Sequence, residues 1–171
     1  MVSIGLSFEL SVVYGGLASI ILWRRGLGRW ALAPLAFVLL TVLEIALKRI
    51  IHQPGVSQEF LRAVDYPFLS LTLPGSFPSG HALRSGFFGV FFALLLSHHG
   101  STGARVGAVG LVLVGLLLSL TRVYLGMHWL SDVLAGLCLG AALACVVAPP
   151  VAERLVRQSG TKRRGVPGTR H

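Results

Sequence analysis

Five stretches of this chain carry almost no charge over lengths that match the thickness of a bilayer. They fall at about residues 4–23, 31–51, 80–97, 105–122 and 130–150, and a helix needs about 20 apolar residues to cross the hydrocarbon layer. Five such crossings consume most of the 171 residues, so no separate soluble domain fits. Only 12% of residues are charged, against about 25% in an ordinary soluble domain. The expected fold is therefore all-α: a polytopic transmembrane helix bundle over residues 1–151, followed by a basic cytoplasmic tail, 152–171, without fixed structure. Glu9 interrupts the first apolar run and no basic region precedes it, so that segment reads as an anchor rather than a cleaved signal.

Fifteen Lys and Arg against six Asp and Glu give a formal net charge of +9. In a soluble protein this would suggest nucleic acid. Here Arg154, Arg157, Lys162, Arg163, Arg164 and Arg170 all fall in the last eighteen residues. No basic stripe alternates with aromatics, so the expected partners are membrane lipids, not nucleic acid. Arg24, Arg25, Arg29, Arg105 and the six tail cations share one face of the bundle, with Lys48, Arg49, Arg62, Arg84 and Arg122 on the other. That imbalance puts the first group in the cytoplasm, the N-terminus outside and the C-terminus inside. Trp23 and Trp30 then mark the inner interface, and Tyr66, Tyr124 and Trp129 the outer one. Two Lys beside thirteen Arg suggest a GC-rich bacterial genome and hence cell-envelope lipids.

In the fifth span Gly136, Gly140 and Ala144 repeat every four residues, which lets helices pack closely in lipid. Cys138 and Cys145 lie seven residues apart in the same span, roughly 10 Å along a helix. That is too far for a disulfide, so they read as small buried hydrophobes. The longest interruption, about 52–79, contains Pro54, Pro67, Pro74 and Pro78, which excludes a spanning helix. Within it Phe60, Leu61, Val64 and Phe68, with Glu59, Arg62 and Asp65 between them, suggest a short outer amphipathic helix. It would serve as a lid, a lipid-entry lip or a connector.

Titratable groups near hydrocarbon usually mark function, and here they cluster. Lys48 ends the second span, Pro78-Ser79-Gly80-His81 opens the third, Arg122 ends the fourth, and His128 with Asp132 opens the fifth. All these ends face the outer side, so they can converge on one pocket. A helix N-terminus at 78–80 offers unpaired N–H groups to an anion, and Gly80 permits close approach. Lys48 and Arg122 add the charge and forked donors that suit a phosphate or the transition state of its transfer. His128 and Asp132, four apart, share a helical face; the carboxylate would orient one ring nitrogen and leave the other as nucleophile or base. His81 is then available as a general acid. Plain structural roles for these residues stay open, as does a divalent metal on the two His and the Asp, although the cationic surroundings oppose it.

Pro-Ser-Gly-His at 78–81, followed by Arg122, five residues, His128, three residues and Asp132, resembles the second and third motifs of the type 2 phosphatidic acid phosphatase superfamily, the membrane lipid phosphate phosphatases. Thr121 stands where that family often has Ser. The resemblance covers about residues 44–145. It implies that His128 becomes a phosphohistidine, Asp132 orients it, His81 protonates the leaving group, and Lys48, Ser79, Gly80 and Arg122 hold phosphate, with no metal or other cofactor. The first motif departs: six residues after Lys48 the chain reads Gly55-Val56 in place of the family's Arg-Pro. Three residues could supply the missing contact. Arg49 lies about 100° around the helix from Lys48, Arg84 stands one turn beyond His81, and His52 is four beyond Lys48 on its face. Glu44, one turn before Lys48, is placed to pair with it. The family commonly has six spans, and this chain reads as five.

The implied activity is removal of a terminal phosphate from a lipid phosphate or diphosphate on the extracytoplasmic face. Candidate substrates are a polyprenyl phosphate or diphosphate, phosphatidic acid, phosphatidylglycerophosphate, or a polyprenyl carrier with a phosphorylated sugar. A lipid phosphotransferase using the same site, or a lipid-phosphate binding protein weakened in catalysis, are the alternatives.

Overall fold

A helix in hydrocarbon satisfies its own backbone bonds, so it turns inward whatever packs closest rather than whatever is most apolar. The computed structural model describes residues 8–62, 75–98 and 100–164, and this inversion is plain from its first helix. Helix α1 (Phe8–Arg24) buries Ser11, Gly15 and Ser19, while Val12, Leu17, Ile20 and Ile21 face outward. A Cβ at Gly15 would stand 2.9 Å from the Phe37 ring, so the glycine is what allows contact with the next element. That element is a 3₁₀ segment, Gly28–Ala36, which contains Pro34 and runs on as α2 (Phe37–Ile50). Because Pro34 has no N–H to donate, the second span is a composite of two windings rather than the single α-helix expected over 31–51.

Helix α3 (Gly80–Ser97) is the axis of the bundle, packed against α4 (Thr102–Tyr124) and α5 (Leu130–Arg164). Its Leu83, Phe87, Phe88 and Phe91 form the core with Phe37, Leu40, Ala144 and Ala148. The α5 face turned to α3 is the small-residue series. A Cβ at Gly136 would stand 2.6 Å from the Ser79 carbonyl oxygen, and one at Gly140 would run into the Leu83 carbonyl. Cys138 and Cys145 lie on other sides of α5 and are exposed. The expectation that they are buried is corrected, because the inward face is reserved for residues small enough to admit the α3 backbone.

Four segments are long and apolar enough to cross a membrane: Gly28–Ile50, Gly80–Ser97, Thr102–Tyr124 and Leu130–Gln158. With α1, of 17 described residues, they make a multi-pass helical bundle with no strand among the described residues. Helix α5 does not stop near 150 as expected. It passes through Pro149 and Pro150 to Arg164, so residues 152–164 of the basic tail are helical. The cause is packing: Val151 is buried against Leu22, Leu27 and Ala31, with Leu155 and Trp30 alongside, and tertiary burial outweighs the two missing donors. On the opposite side, residues 51–57 are irregular and Gln58–Phe60 forms a single 3₁₀ turn, with Phe60 and Leu61 exposed. Val64, Asp65, Tyr66 and Phe68 of the expected amphipathic helix lie outside the described residues, as do 165–171 of the tail.

Candidate active site

Direct contacts join the ends of three helices, and Arg122 brings in a fourth. Lys48 closes α2, Ser79 caps α3, Arg122 closes α4 and Asp132 lies in the first turn of α5, all with buried side chains. The Ser79 N–H donates to the Asp132 carbonyl at 3.0 Å. Lys48 Nζ donates to the carbonyls of Gly75 and Ser76 at 3.3 and 3.2 Å, which ties α2 to the turn preceding α3. Arg122 Nη1 lies 3.3 Å from Met127 Sδ, in the turn that carries His128.

Asp132 is the fully buried centre of this arrangement. Its Oδ2 accepts the Trp129 N–H at 3.0 Å, the reach-back of a third-position acid to the residue that caps the helix. That contact starts α5 at Leu130, so His128 stands in the preceding turn and not, as expected, on the face of the helix. The pair is nonetheless brought together, with His128 Nδ1 3.4 Å from Asp132 Oδ2, somewhat longer than an ordinary bond.

Ser76 makes up the difference, and sequence reasoning missed it. Its hydroxyl donates to Asp132 Oδ2 and lies 3.3 Å from His128 Nδ1. A hydroxyl has one proton; with that proton on Asp132, Ser76 can only accept from the ring, which puts the imidazole proton on Nδ1. The lone pair is left on Nε2. The only sequence signal was a small hydroxyl two residues before Pro78, and its partners lie 52 and 56 positions away. Burial first, then the charge of Lys48 and more weakly that of Arg122, push His128 from 6.5 down to about 4 against the opposing pull of Asp132. The ring is therefore a neutral imidazole at neutral pH.

Behind this level lies a buried ion cluster. Glu44 Oε2 accepts from Arg84 Nη1 at 3.2 Å, and Glu44 Oε1 lies 4.0 Å from Lys48 Nζ. The expected pairing of Glu44 with Lys48 is present, and Arg84 is engaged there as well. A Cβ at Gly80 would run into the Glu44 carboxylate, so the space at Gly80, expected to admit a ligand, admits this acid instead. Lys48, Arg84 and Arg122 outnumber Glu44 and Asp132, leaving an excess of positive charge. Ser79 is fully buried and its hydroxyl makes no hydrogen bond among the described residues; its N–H, expected to be open to an anion, is spent on Asp132. His81 follows in the first turn of α3, half-buried.

Two auxiliary candidates are not brought in. Arg49 points outward. His52 is also exposed and does not share the Lys48 face, because Ile51 leaves the helix with φ −96° and ψ 102°. The Ser76 N–H bonds to the Gln53 carbonyl at 3.0 Å, drawing that segment across the site. Gln53 Nε2 reaches Ser131 Oγ at 3.4 Å, and Trp129 Nε1 donates to the Pro54 carbonyl at 3.0 Å. Gly55, at the position of the departed motif, has open space around it. Among the described residues no three His, Cys, Asp or Glu side chains gather into a metal-ligating set.

Two measurements follow from the histidine. In ¹⁵N-histidine NMR, His128 should hold its proton on Nδ1, keep it there in Ser76→Thr, and pass to a mixture of tautomers in Ser76→Ala; an unchanged ring in Ser76→Ala removes the serine from its orientation. Because the unfolded ring binds its proton near pH 6.5 and the folded ring only near 4, the unfolded state takes up more protons between those values. Stability contributed by His128 is thus present above pH 6.5 and declines as pH falls, by about 1.4 kcal/mol per unit. His128→Gln should flatten that part of the denaturation-against-pH curve.

The family model described as the PAP2 superfamily matches residues 29–154. The chain is 37% identical over 82 residues to a lipid A 1-phosphatase of Rhizobium johnstonii, a stretch covering 48% of this chain and 30% of that relative. It is 33% identical over 118 residues to phosphatidylglycerophosphatase B of Bacillus subtilis, covering 64% of this chain and 55% of that relative. The chain thus spans between 30% and 55% of the length of these curated relatives. No solved structure matches it. The match to the family model takes in every residue of the site just described, and this chain belongs to the PAP2 superfamily.

Proposed function

We propose that this protein is a metal-independent lipid phosphate phosphatase working through a phosphohistidine at His128. The observation that carries this reading is a neutral imidazole, held at Nδ1 by Asp132 and Ser76, inside a cup with excess positive charge. Lys48, Ser79 and Arg122 hold the phosphate oxygens, and the buried Ser79 hydroxyl supplies a donor in search of an acceptor. His128 Nε2 attacks phosphorus, the bond to the lipid oxygen breaks, and that oxygen takes a proton from His81. Asp132 stabilises the positive charge that grows on the ring as the P–N bond forms. Water then attacks the phosphohistidine and gives a proton to His81; the P–N bond breaks and inorganic phosphate leaves. The similarity to a lipid A 1-phosphatase and a phosphatidylglycerophosphatase supports a lipid monophosphate or diphosphate as substrate. The cup opens on the extracytoplasmic side, with the basic end of α5 in the cytoplasm.

Phosphate release should be measured over phosphatidic acid, phosphatidylglycerophosphate, lipid A and polyprenyl mono- and diphosphates, with chelator present. Wild type should act on at least one, and His128→Ala should release phosphate at least about 10³-fold more slowly. Equal release by both proteins would remove the nucleophile, and loss of wild-type activity on chelation would restore a metal.

Orientation has its own test. With Cys138 and Cys145 replaced by Ser, a cysteine placed at exposed Ser57 should react with an impermeant maleimide on intact cells. Labelling only after permeabilisation would reverse the topology.

A further inference from the structure

The far end of α5 carries a second feature, unconnected with the His128 cup. Arg154 lies 24 residues beyond Leu130, about 36 Å along the helix. The hydrocarbon layer is about 30 Å thick, so with Leu130 at one interface Arg154 reaches the headgroup layer of the opposite leaflet. At that depth a cleft of about 380 Å³ opens between the 3₁₀ segment and α5, lined by Trp30, Pro150, Glu153, Arg154, Arg157 and Gln158.

The cleft is built rather than incidental. The guanidinium groups of Arg29 and Arg154 sit 5.3 and 5.4 Å from the Trp30 ring centroid, contacts that fix the direction of their donors. Gln158 Nε2 donates to the Gly26 carbonyl at 3.4 Å, closing α5 onto the turn after α1. Beneath lie Val151, Leu22, Leu27 and Ala31, all buried, so these cations stand on packed helix and not on a loose tail. Arg154 and Arg157 line the cleft beside one carboxylate, Glu153, and Arg29 stands over the Trp30 ring at its edge, which leaves the cleft cationic. Trp23, Leu32 and Val156 present exposed apolar surface nearby, where acyl chains would lie.

We infer that this cleft binds the phosphate headgroup of an anionic phospholipid in the leaflet opposite the His128 cup. Forked guanidinium donors suit phosphate oxygens, the excess charge selects an anionic over a zwitterionic headgroup, and the depth and apolar flank select a lipid over a dissolved anion.

The test uses the full chain in detergent, with phosphatidylglycerol or phosphatidylcholine of matched chains added and bound lipid counted by native mass spectrometry. Phosphatidylglycerol should be retained preferentially, and Arg154→Gln/Arg157→Gln should weaken its binding about thirtyfold, the loss expected of two surface cations. Arg154→Lys/Arg157→Lys should keep most of the preference. If the glutamine pair does not fold, exposed Arg29→Gln carries the same test with a smaller loss. Equal retention of the two lipids, or a preference that survives Arg154→Gln/Arg157→Gln in a folded protein, would overturn the inference. Inorganic phosphate abolishing phosphatidylglycerol retention at equal concentration would do so too, since it would mark a general anion site.

Discussion

Where α3 meets α5 the two backbones come close enough for the Ser79 N–H to bond to the Asp132 carbonyl at 3.0 Å. That approach exists because Gly136 and Gly140 present no side chain to the α3 carbonyls. In lipid no hydrophobic force draws helices together, so van der Waals fit at small residues has to do it. The consequence reaches the chemistry. With the first turns of α3 and α5 locked together, Ser76 and His128 meet at one oxygen of the same carboxylate, and the orientation of the imidazole is inherited from helix packing.

The charge cluster behind the site has a similar logic. Lys48 and Arg84 are buried cations, and isolated charge inside a membrane protein is costly. Glu44 stands between them, 3.2 Å from Arg84 and 4.0 Å from Lys48, and Gly80 admits it by lacking a Cβ. One acid thus keeps two cations at the mouth of α3 whether or not an anion is present. Asp132 answers the same need for the imidazole: its buried carboxylate accepts from Trp129 and Ser76 and lies 3.4 Å from His128 Nδ1.

Much of this was legible in sequence. The apolar stretches announced helices because bilayer thickness imposes a minimum length, and Lys48, Ser79, Arg122 and Asp132 came together because each stands at the end of such a stretch on the same side. The differences have separate causes. His52 was assigned to the Lys48 face by extending the helix two residues too far. Ser76 was overlooked because a serine in a proline-rich turn has no pattern. The cysteines were assumed buried on the soluble-protein rule, whereas the outside of this bundle is lipid.

Amino-acid order by itself determined the number of apolar helices, the level at which charged residues gather and the four-residue spacing of small ones, since these follow from local hydropathy and helical period. Only the tertiary structure decided which ring nitrogen carries the proton, that Glu44 rather than a ligand fills the space at Gly80, and that α5 runs on past two prolines. Each of those depends on contacts between residues distant in the chain, where burial and electrostatics outweigh local preference.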